Sequence, residues 1–113
     1  MDISPLRLTP HDDGSWSLVL ADEQFIELVD VFESHGLSGN GYSWEGVARS
    51  IVPTVLGDDE RAVAYDPEAG MLCAYGRDKS VLERLGAALA DLTRDRVALA
   101  HLLESADRAN FDD

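Results

Sequence analysis

The sequence contains little cysteine, little positive charge and no long apolar run. Cys73 is the only cysteine, which excludes an internal disulfide and favours a reducing compartment. No apolar run approaches the roughly 20 residues that a membrane helix needs. The N-terminus has neither the basic nor the apolar stretch of a secretion signal. We therefore expect a cytoplasmic protein that does not span a membrane.

Basic residues are scarce: 9 Lys and Arg stand against 22 Asp and Glu, for a formal net charge of −13. The imbalance is concentrated in residues 1–60, which carry 12 acids and only 2 bases. Such a surface disfavours nucleic acids and anionic membranes as partners, because both bind to positively charged protein surfaces. It would attract a basic protein. The alternative is that the charge only keeps the protein dispersed in solution.

The length of 113 residues and the hydrophobic content of 45% predict one globular domain over residues 1–113. The first half predicts an edge strand, a second strand in a hairpin, a helix capped by Asp22 and a helix capped by Ser43, which Pro53 ends or kinks. Their predicted ranges are 3–9, 15–20, 23–35 and 44–52.

The second half predicts the same order again, with two strands around a Pro- and Gly-containing turn and then two helices. Their predicted ranges are 61–66, 71–76, 79–93 and 95–105. Val63 and Tyr65 are expected to share the core face with Leu72 and Ala74. Only residues 107–113 look loosely held. The order β-β-α-α-β-β-α-α predicts an α+β fold, an antiparallel sheet of about four strands with helices packed on it.

No motif requires catalysis, a metal or a cofactor. The three histidines lie far apart, and the acidic turns at 12–14 and 58–60 lack the alternating ligands of a calcium loop. Cys73 lies in an apolar strand, and Ser43 is in no nucleophile elbow. The glycine-rich turn at 39–41 lacks the lysine and spacing of a P-loop. We expect a protein that is not an enzyme.

The predicted helix 23–35 carries an acidic stripe and contains no Lys or Arg. Glu23, Glu27 and Asp30 have the spacing i, i+4, i+7, and Glu33 follows. Each like-charge pair costs a few tenths of a kcal/mol. Because this like-charge repulsion extends along the whole acidic face of the helix, the pattern favours an external basic partner. The equally weighted alternative is that the face is only solvated.

A turn of residues that tolerate a positive φ, Gly39-Asn40-Gly41, holds Tyr42 and Trp44 at the entrance of the second helix. Aromatic side chains in this position serve either the core or a partner. We expect Trp44 to be at least half buried against Phe32 or Ile51, with its indole N–H bonded to an acceptor.

Three segments resemble the immunity protein 51 family: residues 32–45 with the core Gly-Asn-Gly-Tyr-Ser-Trp-Glu, the hairpin 66–75, and the ending Asn-Phe-Asp at 110–112. The likeness spans most of the chain from about Phe25 onward. The resemblance implies an α+β protein without enzymatic activity. It also implies that the protein protects bacteria by binding a cognate toxin of a polymorphic toxin system.

These observations together predict an immunity protein that inhibits a basic toxin domain, with a nuclease as a candidate, by steric and electrostatic blockade. The alternative is a small-molecule-binding or regulatory module with a pocket near Tyr42 and Trp44. An enzyme is third, and would need a cleft with converging titratable groups. The predicted contact residues are Glu23, Glu27, Asp30, Glu33, Tyr42, Trp44, Glu45, Asp58, Asp59 and Glu60.

Overall fold

A computed structural model describes residues 2–111 and confirms the α+β class, with a four-stranded antiparallel sheet in the order β1-β2-β4-β3. The strands are β1 Arg7–Pro10, β2 Trp16–Ala21, β3 Ala64–Tyr65 and β4 Met71–Gly76. The helices are α1 Asp22–Phe25, α2 Val29–Glu33, α3 Gly41–Val55, α4 Lys79–Thr93 and α5 Arg96–Ser105. Short 3₁₀ helices cover Ile26–Leu28, Gly57–Ala62 and Arg108–Asn110.

The two central strands, β2 and β4, supply the sheet side of the core. Leu18 lies opposite Ala74 and Leu20 opposite Leu72, and all four are fully buried. Because strand side chains alternate between faces, their neighbours point to the other side, where they are half-buried or exposed. Helices α3 and α4 pack on the apolar face. The buried core therefore lies on one face of the sheet, and the other face is more exposed to solvent.

The predicted hairpin of the second half is confirmed in its register. Tyr65 pairs with Ala74, and Val63 is buried on the same face as Leu72 and Ala74. The strand at 61–66 is shorter than predicted, because residues 57–62 form a 3₁₀ helix and leave only two residues for β3. Strand β4 and helix α4 have the predicted bounds.

Carboxylates cap both helices of the second half. The Asp78 side chain accepts the N–H groups of Ser80 and Val81 at the start of α4. Hydrogen bonds from the Ser80 hydroxyl, the largest cause, and from the Val81 N–H lower the pKa of Asp78. Asp95 accepts the N–H of Ala98 and so caps α5. Each carboxylate satisfies donors that the helix itself leaves unbonded.

The predicted single helix over 23–35 is wrong. The segment is divided into α1, a 3₁₀ turn and α2. Phe25, Leu28 and Val31 are all buried, and their spacing of three residues fits the three residues per turn of a 3₁₀ helix. Between Phe25 and Leu28 the tighter winding brings the two side chains onto one face, which a regular α-helix would rotate apart.

Helix α3 begins earlier and ends later than predicted. Its N-cap is Asn40, whose side chain accepts the N–H of Ser43 at 3.0 Å, so the expectation of Ser43 as the cap is wrong. Pro53 lies inside the helix rather than at its end. Proline removes one donor near the last turn, yet the N–H of Leu56 still bonds to the carbonyl of Val52 at 2.8 Å. The helix therefore continues past it.

The chain end is held more firmly than predicted, at least as far as residue 111. Arg108 donates to the carbonyl oxygen of His35, and the Asn110 side chain donates to the Ser50 hydroxyl at 3.3 Å. Phe111 packs against the core. Asp112 and Asp113, which belong to the predicted loose tail, lie outside the described residues.

Candidate partner-binding surface

The ten predicted contact residues lie in three places that different elements support. Four acids lie on the segment from α1 to α2, and α2 packs on α5. Two aromatic residues and Glu45 lie in the first turns of α3. The last three acids lie on the 3₁₀ helix Gly57–Ala62, which packs on α3.

Trp44 is a core residue. Its ring is fully buried and meets Phe32 edge-on at a centroid distance of 5.3 Å, with Phe25 at 6.2 Å. Its burial and its packing on Phe32 are thereby confirmed. The indole N–H, however, finds no acceptor within residues 2–111, so that expectation is wrong. Because the side chain has no exposed surface, it cannot touch a partner, and the surface proposed below omits it.

The glycine-rich turn before α3 fixes the helix against the sheet. Gly39 has a φ of +78°, and its N–H donates to the Ser43 hydroxyl at 3.0 Å. The N–H of Gly41 donates to the carbonyl of Ala69 at 2.8 Å. A Cβ on Gly41 would clash with the carbonyl oxygen of Glu68. The turn therefore allows α3 to approach the β3–β4 connection closely, and it exposes 37% of Tyr42 beside it.

The charge of Glu45 is paired within the protein. Its carboxylate forms an ion pair with Arg49 at 2.5 Å, and its side chain is only 15% exposed. The Arg49 guanidinium also lies 4.5 Å from the centre of the Tyr65 ring. Burial raises the pKa of Tyr65 to about 12, against the opposing influence of Arg49. Glu45 is thus held in an internal cluster and offers little to a partner.

The acids from α1 to α2 are only partly free. Asp30 forms an ion pair with Arg96, and Arg96 also donates to the backbone oxygen of Glu27 at 3.0 Å. The positive charge that the segment lacks is therefore supplied in part by Arg96 of α5, so Asp30 does not require an external cation. Glu23, Glu27 and Glu33 are exposed and form no ion pair within residues 2–111.

The acids of the 3₁₀ helix Gly57–Ala62 show the same division. Asp59 forms an ion pair with Arg84 of α4. Asp58 and Glu60 are exposed, and none of the ion pairs in the described part of the chain includes them. Five predicted acids therefore remain available to a partner without first breaking an internal pair: Glu23, Glu27, Glu33, Asp58 and Glu60.

A groove between α2 and α5, with a volume of about 410 Å³, was not predicted. Val97 lies on it and is 68% exposed, and the neighbouring 3₁₀ turn carries Ile26, which is 63% exposed. Two other grooves, of about 460 and 450 Å³, lie on either side of β3. None of the three is lined by Tyr42 or Trp44, so they do not provide the pocket of the alternative hypothesis.

The described residues also show no arrangement for a metal or a membrane. Among residues 2–111, no group of three or more His, Cys, Asp or Glu side chains could hold a metal ion. Over the same range, none of the helices combines the length and apolar character of a transmembrane span. Burial raises the pKa of Cys73, the reverse of what a reactive thiolate requires.

The fold and the surface define an acidic α+β domain whose exposed carboxylates outnumber its cations. Comparison with protein families identifies it further: the family model described as immunity protein 51 matches residues 6–108. Because the match covers most of the chain, the chain belongs to this family and is an immunity protein. Among curated proteins and solved structures, none matches the chain significantly.

Proposed function

We propose that this immunity protein acts in the bacterial cytoplasm by binding a basic toxin domain of a polymorphic toxin system and blocking its active surface. The family implies a toxin protein as the partner. The net charge of −13 supports a basic one. The observation that carries the proposal is the exposure of Glu23, Glu27 and Glu33 on one short segment, where no cation of residues 2–111 pairs with them.

Electrostatics gives such a surface a specific kinetic advantage. Complementary charge steers partners together and can raise association rates far above those of neutral pairs, with strong dependence on ionic strength. An inhibitor that must capture a toxin before it acts benefits from rapid association. A toxin whose substrate is anionic, as a nuclease's is, would present the positive cleft that this surface complements. Inhibition then needs only occupation of the cleft and no catalytic residue.

A triple charge reversal tests the proposal: Glu23→Lys, Glu27→Lys and Glu33→Lys. Asp30 is left unchanged, because a lysine there would lie beside Arg96 and disturb the ion pair between α2 and α5. We expect association with the toxin domain encoded in the neighbouring reading frame to slow by at least tenfold at low salt. Its salt dependence should also weaken.

The matched control carries the same change in net charge at three exposed acids elsewhere: Asp12→Lys, Asp66→Lys and Glu68→Lys. If only net charge matters, both triple variants will slow association equally. If the α1–α2 segment contacts the toxin, only the first will show the full effect. Equal rates for the parent and the first variant would exclude this segment as the contact surface.

Co-expression tests the biological role directly. Cells that make the toxin domain should grow when this protein is made with it, and the purified protein should not turn over common hydrolase substrates. Growth arrest despite abundant folded protein would contradict the proposal for that toxin.

A further inference from the structure

The groove between α2 and α5 is built from one face of α5. Val97, Ala100, His101 and Glu104 have the spacing i, i+3, i+4, i+7, which places them on one side of a helix. The opposite side of α5 carries Leu99 and Leu103, which are buried, whereas on this stripe only Ala100 packs partly on the core and Val97, His101 and Glu104 are exposed. At 1.5 Å per residue, the stripe is about 10 Å long.

The other wall of the groove is held in place by hydrogen bonds and an ion pair. His35 Nδ1 lies 2.9 Å from the backbone oxygen of Val31, and the His35 carbonyl accepts a bond from Arg108. At the start of α5, Arg96 joins Asp30. The ion pair joins α2 to α5 and the Arg108 bond joins the end of α2 to the chain end, so binding would require little ordering of this wall.

Apolar surface is concentrated here. Ile26 and Val97 are the most exposed large apolar side chains among the described residues, at 63% and 68%. Val97 lines the groove, and Arg96 donates to the backbone oxygen of Glu27, so a hydrogen bond joins the residue next to Val97 to the residue next to Ile26. Exposed apolar side chains grouped next to polar residues are typical of protein interaction sites.

Charge around the groove selects the chemistry of the partner. Glu104 lines the groove and forms no ion pair within residues 2–111, while Asp30 and Arg96 largely neutralise each other. Glu27 and Glu33 flank the α2 wall as further exposed acids. The complementary segment has an apolar side chain for the groove and a Lys or Arg beside it for the acidic margin.

We propose that this groove is where the toxin domain is anchored, and that the toxin inserts an apolar side chain flanked by a basic one. The inference rests on the proposed function and adds to it a location and a partner chemistry. The exposed acids of the α1–α2 segment attract the toxin electrostatically to the groove. Apolar contacts with Ile26 and Val97 then hold it in the complex. Charge therefore governs mainly the association rate and the apolar pair mainly the dissociation rate.

The test uses the purified toxin domain from the neighbouring reading frame, in a catalytically inactive form, and measures association and dissociation rates. The double variant Ile26→Ser and Val97→Ser should dissociate at least tenfold faster, with the association rate changed less than threefold. Both residues are mostly exposed, so the thermal unfolding temperature should hardly change. The matched control is Tyr75→Ser, which removes a 41% exposed aromatic side chain on the sheet, away from the groove.

A second variant, Ser34→Trp, fills the groove without removing any apolar side chain, and should weaken binding even if the double variant folds poorly. If the parent binds and both groove variants dissociate at the parent rate, the inference is overturned and the proposed function stands. If the parent itself does not bind, the proposed function fails for that toxin, and the inference fails with it. Equal losses in the groove variants and in Tyr75→Ser would also overturn the groove assignment.

Discussion

The ring of Phe111 lies directly against Gly46, which is on the second turn of α3. A Cβ built on Gly46 would come closer than 3.0 Å to several Phe111 ring carbons, a separation that real Cβ atoms essentially never show. The end of the described chain therefore folds back on α3, and only glycine leaves space for the ring.

Gly46→Ala should destabilise the protein by about 1–3 kcal/mol, because the added methyl group overlaps the ring. In a Phe111→Ala background, Gly46→Ala should instead stabilise the protein. Alanine would then gain roughly 0.5–1 kcal/mol over glycine within a helix. Denaturant unfolding of both single variants and the double variant measures the coupling. Additive effects would show that the ring does not press on Gly46 in solution.

Trp44→Phe should be tolerated better than the size of the side chain suggests. The substitution loses buried area but also removes an indole N–H that has no acceptor among residues 2–111 and costs about 1–3 kcal/mol. We expect a net loss below about 2 kcal/mol, against about 3–5 kcal/mol for Trp44→Ala, which leaves a cavity beside Phe32. Equal losses for the two variants would indicate that the N–H is in fact well bonded.

The stability of the protein should fall between about pH 10 and pH 12. Burial raises the folded-state pKa of Tyr65 to about 12, whereas a tyrosine in the unfolded chain ionises near 10. The folded state then holds its proton where the unfolded state has lost it, so unfolding becomes easier as the pH rises through this window. Tyr65→Phe should reduce the decline, which denaturant titrations at several pH values can measure. An unchanged decline would assign it to other groups.

Cys73 should react slowly with thiol-alkylating reagents in the folded protein. Burial, the largest cause, raises its pKa, and the nearby Asp66 carboxylate raises it further. Since the thiolate is the reactive form, modification at pH 7–8 should be at least about tenfold slower than in denaturant. Mass spectrometry over time gives both rates. A folded-state rate that equals the denatured one would place the thiol on an open surface.

Local patterns predicted the second half of the chain better than the first. The Pro- and Gly-containing turn before β4 and the apolar periodicity of α4 fix those elements within a few neighbouring residues. The division of the predicted 23–35 helix depends on how Phe25 and Val31 pack in the assembled core, which local spacing does not reveal.

The candidate site shows the same limit. Residue type identified the acids, but it could not show which of them are neutralised. Asp30 and Asp59 pair with arginines 66 and 25 residues away, and these pairings exist only once the helices are packed. The groove on α5 was not predicted, because Val97 lies outside the buried stripe of Leu99 and Leu103 and no local rule marks an exposed apolar residue as functional.

The position of β4 between β2 and β3 has a consequence for when the protein can begin to work. A nascent chain that has reached residue 60 already carries all ten predicted contact residues, yet it lacks β4, which pairs with β2 beside Leu18 and Leu20, and it lacks α5, which forms one wall of the groove. At about 5–20 residues per second, the ribosome needs roughly 2–9 s more to add the chain through α5. Under the proposed function, a newly started inhibitor chain cannot bind toxin until that interval has passed.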